Sequence, residues 1–385
     1  MQDVFITKIH IDKVRHLENV DIVLSDVERK HLILTGKNGS GKTSLLEAMR
    51  DGVILKQRKT AYQHQPSHDP AHRWNSIVFG GGEIPAPKID ITYSTQIDDF
   101  FDTVFVYISA VRSTLVVPNA IEIVDIPAKN FIAQSASKDF LRYVLNLYVQ
   151  YLSAKDTGGS ATDIERYGKW FDNFTNALRE IYDCQELEIK PDMKNLAFQI
   201  MLPGHEPFRL HEMSDGYAAF IDIYMELLLR METSDAVVDY NNPAIVLIDE
   251  IETHLHVELQ KRVLPFLTKA FPNIQFIVAT HSPFVITSLE KAVVFDLEKK
   301  ETLLNPSLYS YESVVESFLD TSVYSQELRR YFGRYKELCF KERTLEENEE
   351  FLKAKTELEL MSPASKELYI AFNDLEEKRK AAKNG

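Results

Sequence analysis

Short alternating runs of apolar and polar residues fill the first 35 positions of the chain, a pattern typical of β-strands. Two such runs cover residues 4–11 and 20–24, and a compact apolar run from His31 to Thr35 leads directly into a glycine-rich turn. From Lys42 the sequence changes to helix formers, with leucine, alanine and methionine at helical spacing. The pattern therefore predicts strands, then a glycine-rich loop, then a helix.

Loops, helices and short strands are predicted to alternate through the middle of the chain. Residues 57–87 are polar and contain histidines, prolines and a run of glycines, which predicts a mobile loop region. Helix is predicted over most of residues 137–182, with a flexible break at 156–160. Short strands and one helix start are predicted at 89–93, 104–108, 187–189, 197–200 and, for the helix, at Ser214.

Two continuous apolar runs, residues 244–248 and 274–279, predict strands that are covered on both faces of a sheet. A helical pattern from Leu255 to Leu267 lies between them, and this order predicts parallel strands joined by a right-handed crossover. After about residue 306 the chain is charged and helical, with no convincing strand. The prediction is an α/β fold with a helical C-terminal extension.

Composition narrows the class of protein. The chain has 385 residues, of which 44% are hydrophobic and 26% charged, so it suits one large α/β domain with insertions or two domains. No apolar run approaches the roughly 20 residues that span a bilayer, and the N-terminus lacks the features of a secretory signal. Two distant cysteines, Cys184 and Cys339, are typical of thiols in a reducing compartment, which favours a cytoplasmic protein.

The formal net charge of −14 bears on the partners. Sequence-independent binding to nucleic acid depends on clustered Lys and Arg that face the phosphates. An acidic chain can carry a local basic patch, but its overall balance predicts weak affinity for DNA.

Residues 36–43, Gly-Lys-Asn-Gly-Ser-Gly-Lys-Thr, satisfy the pattern G-x-x-x-x-G-K-[ST] of a phosphate-binding loop. The glycines let backbone amides point inward around phosphates, and the following helix presents its positive end. Lys42 adds a charge near the β and γ phosphates, and the Thr43 hydroxyl suits Mg²⁺. A chance glycine-rich turn is the alternative, but the strand before and the helix after supply the context that the motif requires. The predicted ATP-binding residues of this loop are Gly36, Asn38, Gly39, Ser40, Gly41, Lys42, Thr43 and Ser44.

Two carboxylates follow the apolar run 245–248, at the edge where α/β sheets bind their ligands. Asp249 is predicted to hold Mg²⁺ together with Thr43, either directly or through a water. Glu250 is predicted to polarise the attacking water as a general base. A buried strand that ends in a solvated acidic turn is the alternative, and the phosphate-binding loop earlier in the chain argues against it.

Two weaker motifs complete the set. Residues 280–283, Thr-His-Ser-Pro, directly follow a buried strand, where His281 suits a hydrogen bond to a γ-phosphate. A histidine with a purely structural role is the alternative. Residues 213–217, Met-Ser-Asp-Gly-Tyr, place a serine and a glycine at a helix start, which makes either a second anion-binding helix end or a plain N-cap.

The order and spacing of these motifs resemble the ABC-type ATPases of the SMC, RecF and OLD group. The resemblance covers roughly residues 1–300 and is most specific in the stretches 213–217, 247–256 and 275–283. Those stretches are similar to stand-alone bacterial ATPases related to OLD proteins, many of them in anti-phage defence systems. The resemblance implies an α/β P-loop nucleotide-binding domain over 1–300, with a helical lobe inserted at about 130–185. It implies a helical docking or assembly extension over 301–385.

Roles for individual residues follow from the resemblance. Ser214 and Gly216 correspond to the signature motif, which reaches the γ-phosphate held by the opposite subunit. Residues 251–254 correspond to the loop that crosses the dimer interface, and His281 to the switch histidine. The active site is therefore expected to form only when two modules meet head to tail, with Glu250, Lys42 and His281 as its catalytic residues.

The chain departs from the family pattern in several places. Asp215 stands where the second glycine of the signature is usual, and Gln134 is the least poor candidate for the glutamine that couples nucleotide to the lobe interface. Arg112 lies where these ATPases often carry an arginine. Residues 137–182 allow only a short helical hairpin in place of the family's long coiled coil.

A nuclease domain like the one that continues OLD nucleases is not expected. About a hundred residues follow the last motif, and Asp320 stands alone in a helical context, whereas two-metal cleavage needs clustered carboxylates. The tail from Tyr311 to Lys383 is predicted to be helical and to dock either on a partner or on the chain's own ATPase core. Its apolar stripe consists of Leu368, Ala371, Phe372 and Leu375.

These expectations describe a regulatory ATPase that uses ATP and Mg²⁺ and acts as a dimer or higher oligomer. It is expected to sense a trigger and to control a separately encoded effector such as a nuclease, in anti-phage defence; that role depends on resemblance alone. The alternative is a DNA-binding repair or recombination ATPase of the RecF or SMC kind, which a basic stripe would favour and the acidic balance disfavours. The ATPase half of a transporter is a third interpretation, against which the SMC-like stretch 251–256 argues, so no membrane partner is expected.

Overall fold

The structure is a computed structural model, and it describes residues 4–63, 88–95, 104–111, 140–156, 158–195, 197–232, 238–319, 322, 324–360 and 366–384. These residues fall into two compact units, Met1–Tyr311 and Glu312–Gly385. The strands, all in the first unit, are β1 Ile6–Val14, β2 Leu17–Val23, β3 His31–Thr35, β4 Lys88–Tyr93, β5 Val104–Ile108, β6 Glu188–Asp192, β7 Ala197–Met201, β8 Phe208–Arg209, β9 Ala244–Ile248, β10 Ile274–Ala279, β11 Ala292–Asp296 and β12 Glu301–Leu304. The main helices are α1 Lys42–Gln63, α2 Phe140–Asp156, α3 Ala161–Tyr182, α4 Asp215–Arg230, α5 Val257–Ala270, α6 Pro283–Ile286, α7 Gln326–Leu338, α8 Leu345–Glu359 and α9 Lys366–Asn384.

A six-stranded sheet forms the centre of the first unit, in the order β12-β11-β3-β10-β9-β5. Strands β11, β3, β10, β9 and β5 run parallel, and β12 at one edge is antiparallel. Every residue of β9 and β10 is buried, as expected for strands with both faces covered. The predicted parallel pairing of these two strands is confirmed. Because β10 lies between β3 and β9 and all three run parallel, the segments that follow them meet at one edge of the sheet, the edge formed by the carboxyl ends of the strands.

Two smaller antiparallel sheets have the orders β2-β1-β4 and β6-β7-β8. Gln275 of β10 joins the first of these to the central sheet. Its buried side-chain amide accepts a hydrogen bond from Ile6 N at 2.6 Å and donates to Ile6 O at 2.9 Å and to Lys30 O at 2.8 Å. The amide is satisfied in the interior, where an unpaired one would cost about 1–3 kcal/mol.

Helices α2 and α3 are consecutive in sequence and pack against each other, and they are called the α2–α3 hairpin. The second helix begins after Ser160, whose side chain caps a backbone amide of the first turn. Aromatic rings fill the contact between the helices: Phe140 lies 5.3 Å from Phe174, and Trp170 stacks on Phe174 at 5.4 Å. Phe174 also stacks on Tyr224 of α4, at 6.5 Å and 11°, so the hairpin and α4 share a core.

Helix α1 is longer than the sequence pattern predicts. It continues to Gln63, so residues 57–63, predicted as part of a loop, are helical. The run Gln-Arg-Lys at 57–59 consists of good helix formers, and this local propensity outweighs the polar character that suggested a loop. Residues 64–87, the rest of that predicted loop, lie outside the described part of the chain.

Two further elements of the first unit differ from the prediction. Helix α5 begins at Val257 and not at Leu255, because the preceding residues close hydrogen-bonded turns in which Leu255 N donates to Glu252 O at 2.9 Å. The antiparallel pair β11–β12 is absent from the prediction. β11 is a short apolar run whose strand character depends on pairing with β3, a contact distant in sequence.

Helices α7, α8 and α9 form the second unit around a small core of their own. Phe372 is 3% exposed in that core, and Leu375 is partly buried against it. These two members of the predicted apolar stripe are therefore covered within the unit. The buried core residues of the unit are Tyr335, Leu338, Cys339, Phe351, Ala354, Leu358 and Phe372.

Two bulk expectations can be compared with the described residues. Cys184 and Cys339 are both free thiols. Within the described ranges, no helix combines the length and the apolar character that crossing a membrane requires.

Candidate nucleotide-binding site

The phosphate-binding loop connects β3 to α1 and depends on glycine for its backbone. Its φ angles are 130° at Gly36, 86° at Gly39 and 99° at Gly41, values that residues other than glycine rarely adopt. A Cβ at Gly36 would also lie 2.8 Å from Ser40 Oγ, and one at Gly41 would lie 3.0 Å from Leu17 Cδ1. The loop therefore needs glycine for conformation at three positions and for close contact at two.

Lys42 is the first residue of α1 and is 6% exposed. Its Nζ donates to Gly36 O at 2.8 Å and to Lys37 O at 3.3 Å, so the ammonium group lies across the loop. Burial lowers the pKa of Lys42, and nearby carboxylates oppose that effect. In order of effect, the carboxylates belong to Glu252, Glu250, Asp249 and Asp296.

Asp249 follows β9, and its backbone N donates to Ile108 O of the neighbouring strand at 2.9 Å. Burial raises the pKa of the Asp249 carboxyl, whereas a hydrogen bond from the Thr43 side chain lowers it. The exposed Thr43 hydroxyl thus lies beside the Asp249 carboxylate. The structure therefore brings together the two predicted metal ligands, which are more than two hundred residues apart in sequence.

Glu250, the predicted general base, has a left-handed backbone with a φ of 44°. Such a conformation costs a non-glycine residue about 1–3 kcal/mol and is concentrated at functional sites. The side chain accepts a hydrogen bond from Thr253 Oγ1 at 3.4 Å, and Thr253 N donates to Glu250 O at 3.0 Å. The turn that follows β9 therefore holds the Glu250 carboxylate beside Asp249.

Four buried oxygens at this edge have no hydrogen-bond partner in the part of the chain that the structure describes: Thr35 Oγ1, Ser40 Oγ, Asp249 Oδ1 and Glu252 Oε2. An unpaired buried polar atom costs about 1–3 kcal/mol, so a group of them beside a phosphate-binding loop indicates a site for a polar ligand.

The residues present fit Mg²⁺, which prefers hard oxygen ligands and usually takes one or two protein carboxylates together with phosphate oxygens and water. The Thr43 hydroxyl and the free Oδ1 of Asp249 supply such oxygens. Among the described residues, no group of three or more His, Cys, Asp or Glu side chains is arranged to hold a metal ion. A site with few protein ligands that is completed by a nucleotide agrees with that finding.

His281 follows β10 and is half-buried. Its backbone N donates to Glu252 Oε1 at 2.6 Å. Burial lowers the pKa of His281, and the positive charge of Lys42 lowers it further, so the neutral imidazole is favoured at neutral pH. The charge of Lys42 thus acts on the His281 imidazole.

Ser214, the predicted signature serine, precedes α4 and is exposed. It occupies the N-cap position of the helix, but its side chain makes no capping hydrogen bond. Gly216 is buried against the turn after β9: a Cβ there would lie 3.1 Å from His254 O and 3.3 Å from His256 Cδ2. His254 itself has a φ of 68°. The start of α4 therefore contacts the segment that the resemblance assigns to a dimer interface.

An aromatic stack joins the same helix start to the α2–α3 hairpin. Tyr217 lies on Tyr182, the last residue of α3, with ring centroids 4.0 Å apart and 7° between the ring planes. The signature segment is thus held from two sides, by the turn after β9 and by the end of α3.

Two predicted residues fall outside the described part of the chain, and two other residues contribute to the site although neither had been given an individual role. Gln134 and Arg112 lie outside the described residues. Glu252 contacts His281, and Gln260 contacts both the turn and Ser282: its Nε2 donates to Leu255 O at 2.7 Å and its Oε1 accepts from Ser282 Oγ at 2.6 Å. The sequence signal for Glu252 is an acid three positions after Asp249, but only the folded contact gives it a partner.

The sheet, the loop and the carboxylates have the arrangement of a P-loop ATPase domain, and the predicted resemblance, most specific to stand-alone bacterial ATPases related to OLD proteins, is confirmed. Residues 141–287 match the model of the family described as "AAA domain, putative AbiEii toxin, Type IV TA system". The matched segment contains Ser214, Asp249, Glu250 and His281, and the phosphate-binding loop precedes it.

Two curated proteins are similar to part of the chain. The Septu protein PtuA of Bacillus mycoides (strain KBAB4) is 32% identical over 136 residues, which are 33% of this chain and 19% of that protein. The Retron Vc95 probable ATPase of Vibrio cholerae serotype O1 biovar El Tor is 28% identical over 141 residues, which are 34% of this chain and 27% of that protein. The aligned segment thus spans less than a third of the length of either relative.

Among solved structures, the chain is similar to the Smc head domain with an extended coiled coil bound to the C-terminal domain of ScpA, derived from Pyrococcus furiosus. The TM-score is 0.41 and the sequence identity 13%, over 82% of this chain and 99% of that chain.

Proposed function

We propose that this protein is a regulatory ATPase that hydrolyses ATP at a composite site formed by two copies head to tail. The proposal is supported by the exposure of the predicted signature serine. Lys42, Thr43, Asp249 and Glu250 gather at one edge of the sheet, whereas the Ser214 hydroxyl is exposed and has no capping role in its own helix. An exposed hydroxyl at a helix start suits a phosphate presented by another subunit.

The described residues suggest how the site performs hydrolysis. The Lys42 ammonium neutralises charge on the β and γ phosphates, and the neutral His281 imidazole donates one N–H to the γ-phosphate. The Glu250 carboxylate orients a water and accepts its proton as that water attacks the γ-phosphorus. The bond from that phosphorus to the β–γ bridging oxygen breaks, and ADP and inorganic phosphate leave. Mg²⁺, held by Thr43 and Asp249, supplies positive charge to the phosphate oxygens when it is bound.

The regulatory half of the proposal is supported by the relatives. Part of a Septu protein and part of a retron probable ATPase are similar to about a third of this chain, which favours an ATPase in anti-phage defence. In such a role the ATPase controls a separately encoded effector such as a nuclease. Purification of the chain with the products of its neighbouring genes, followed by mass spectrometry, tests for that effector.

A complementation experiment tests the composite site. Lys42→Ala disables the phosphate-binding half of the subunit that carries it, and Ser214→Arg disables the half that acts on the opposite subunit. Neither variant is expected to hydrolyse ATP alone, but a mixture forms dimers with one intact site and recovers activity. A mixture of Lys42→Ala with Glu250→Gln is the control, because both changes affect the same half and every site stays defective. If the first mixture stays inactive while the wild type is active, the head-to-tail arrangement is wrong.

A trapping experiment tests hydrolysis and assembly together. Glu250→Gln is expected to keep ATP binding and to slow hydrolysis about 10²-fold or more, the usual scale for loss of a general base. The variant is expected to accumulate as a dimer or higher oligomer with ATP and Mg²⁺, as measured by mass photometry. Full turnover together with an unchanged mass would refute the assigned role of Glu250.

A further inference from the structure

We propose that Glu252 is a positioning residue, which holds His281 where it can distinguish ATP from ADP. The inference rests on the proposed function, in which the His281 imidazole contacts the γ-phosphate. It adds that the contact depends on a carboxylate in the turn after β9, a residue to which the sequence analysis gave no individual role.

The first support is the contact between Glu252 and the main chain of His281. His281 N donates to Glu252 Oε1 at 2.6 Å, a charge-assisted bond of the stronger kind. It fixes the backbone from which the imidazole projects, two residues after the end of β10. Since the bond uses the main chain, the ring of His281 is left available for a ligand.

The second support is the other oxygen of the same carboxylate. Glu252 Oε2 is buried and has no hydrogen-bond partner among the described residues. The carboxylate is also the strongest of the negative charges that act on Lys42. Glu252 therefore contacts one of the two residues that the proposed function places around the γ-phosphate, and its charge acts on the other.

The third support is a parallel clamp one residue further along. Gln260 Oε1 accepts from Ser282 Oγ at 2.6 Å, and Gln260 Nε2 donates to Leu255 O at 2.7 Å. Two side chains from the segment 252–260 thus hold two consecutive residues after β10. A displacement of the turn after β9 would therefore move His281 with it.

Equilibrium binding of AMP-PNP and of ADP, each with Mg²⁺, tests the proposal without requiring hydrolysis. His281→Ala is expected to reduce the preference for AMP-PNP over ADP about tenfold, the effect of one lost γ-phosphate contact. Glu252→Ala is expected to cause a similar loss, and the double variant no further loss, because both changes remove the same contact. Glu252→Gln retains an acceptor oxygen and is expected to restore most of the preference.

Glu258→Ala is the matched control, because Glu258 is an exposed acid in the same stretch of chain and its removal changes the net charge equally. That variant is expected to behave as the wild type. Should Glu252→Ala fail to fold, as judged by thermal unfolding, Glu252→Asp replaces it, since its carboxylate is one methylene too short to reach His281 N. A wild-type preference in Glu252→Ala or Glu252→Asp, or losses that multiply in the double variant, would overturn the proposal.

ATP turnover on the same variants separates this inference from the proposed function. If the wild type neither hydrolyses ATP nor prefers AMP-PNP, both ideas fall. If the wild type does both and the losses at Glu252 and His281 are independent, the ATPase assignment stands and the positioning role of Glu252 is wrong.

Discussion

Gly216 and the main-chain carbonyl of His254 are so close that a methyl group on residue 216 would lie 3.1 Å from that oxygen. The start of α4 is therefore in backbone contact with the turn that carries Glu250 and Glu252. A larger residue at 216 cannot be accommodated by a flexible side chain, because the obstacle is main chain. A larger residue at position 216 would therefore displace either the start of α4 or the turn after β9.

Replacement of this glycine gives the first prediction. Gly216→Ala is expected to leave ATP binding by the isolated chain within about threefold of wild type, since no phosphate-loop atom is touched. ATP hydrolysis is expected to fall about tenfold or more, because displacement of groups in a composite site by a fraction of an ångström is costly.

Gly333→Ala provides the matched control, because a Cβ at that position meets nothing within 4 Å. That change in helix α7 is expected to stabilise the helix by up to about 1 kcal/mol. Nucleotide binding by filter assay and turnover by phosphate release separate the two effects. Equal turnover in both glycine variants would show that the contact with His254 is unimportant.

Loss of the loop lysine gives the second prediction. Lys42→Ala is expected to abolish hydrolysis and weaken ATP binding, because it removes the buried ammonium that lies across the loop. Lys37→Ala serves as the control: Lys37 is exposed in the same loop and pairs with Glu298 at 3.0 Å. Titration with a fluorescent ATP analogue measures binding. Wild-type turnover by Lys42→Ala would show that the active site lies elsewhere.

The acid stability of the first unit gives the third prediction. His31 Nδ1 accepts the N–H of Phe276 at 3.1 Å, and burial lowers the pKa of His31 from 6.5 to about 4. As the pH falls below about 6.5, His31 becomes protonated in the unfolded chain, whereas in the folded chain it becomes protonated only near pH 4. The free energy of unfolding is therefore expected to fall through that window, by up to about 3 kcal/mol from this residue.

Urea unfolding of the wild type and of His31→Asn, at several pH values from 7 to about 4.5, measures that contribution. The asparagine side chain retains an oxygen acceptor for Phe276 N and does not titrate. The variant is expected to lose less stability than the wild type on acidification. Identical pH dependence in the two proteins would rule out His31 as the group responsible.

The tail gives the fourth prediction. Helices α7, α8 and α9 have their own core, in which the Tyr335 hydroxyl donates to Glu376 and Arg379 pairs with Glu376 at 2.8 Å. A chain shortened to residues 1–311 is expected to unfold cooperatively and to bind ATP, but to lose capture of an effector or higher-order assembly. If the shortened chain does not fold, residues 312–385 are part of the ATPase core.

Local sequence contained the parts of the site that single segments define. The strand, glycines and helix around Lys42 follow from their neighbours in the chain, and the two carboxylates at 249 and 250 follow from the apolar strand before them. Their meeting at one edge follows from parallel pairing, which the order β9, α5, β10 implies. These inferences need only short segments and one rule of topology.

Contacts between distant segments were beyond that kind of inference. The bond from His281 N to Glu252 depends on where a turn with positive φ at Glu250 and His254 directs a side chain, and periodicity does not report φ. The apolar stripe of α9 shows a similar limit, because its periodicity identifies a face that Phe372 buries but not the surface that covers it. The candidate nucleotide-contacting residues could thus be predicted from the sequence, whereas the contacts that position them could not.

The stacked rings of Tyr182 and Tyr217 connect the long helix α3 to the start of α4. Helix α3 has 22 residues and is therefore roughly 33 Å long, with Ser160 at one end and Tyr182 at the other. Because the two rings are in face-to-face contact, a displacement of α3 would be passed through Tyr182 to Tyr217 and so to the helix that Ser214 precedes. A molecule bound to the α2–α3 hairpin near Ser160 would thus displace the Ser214 hydroxyl without contacting the nucleotide site.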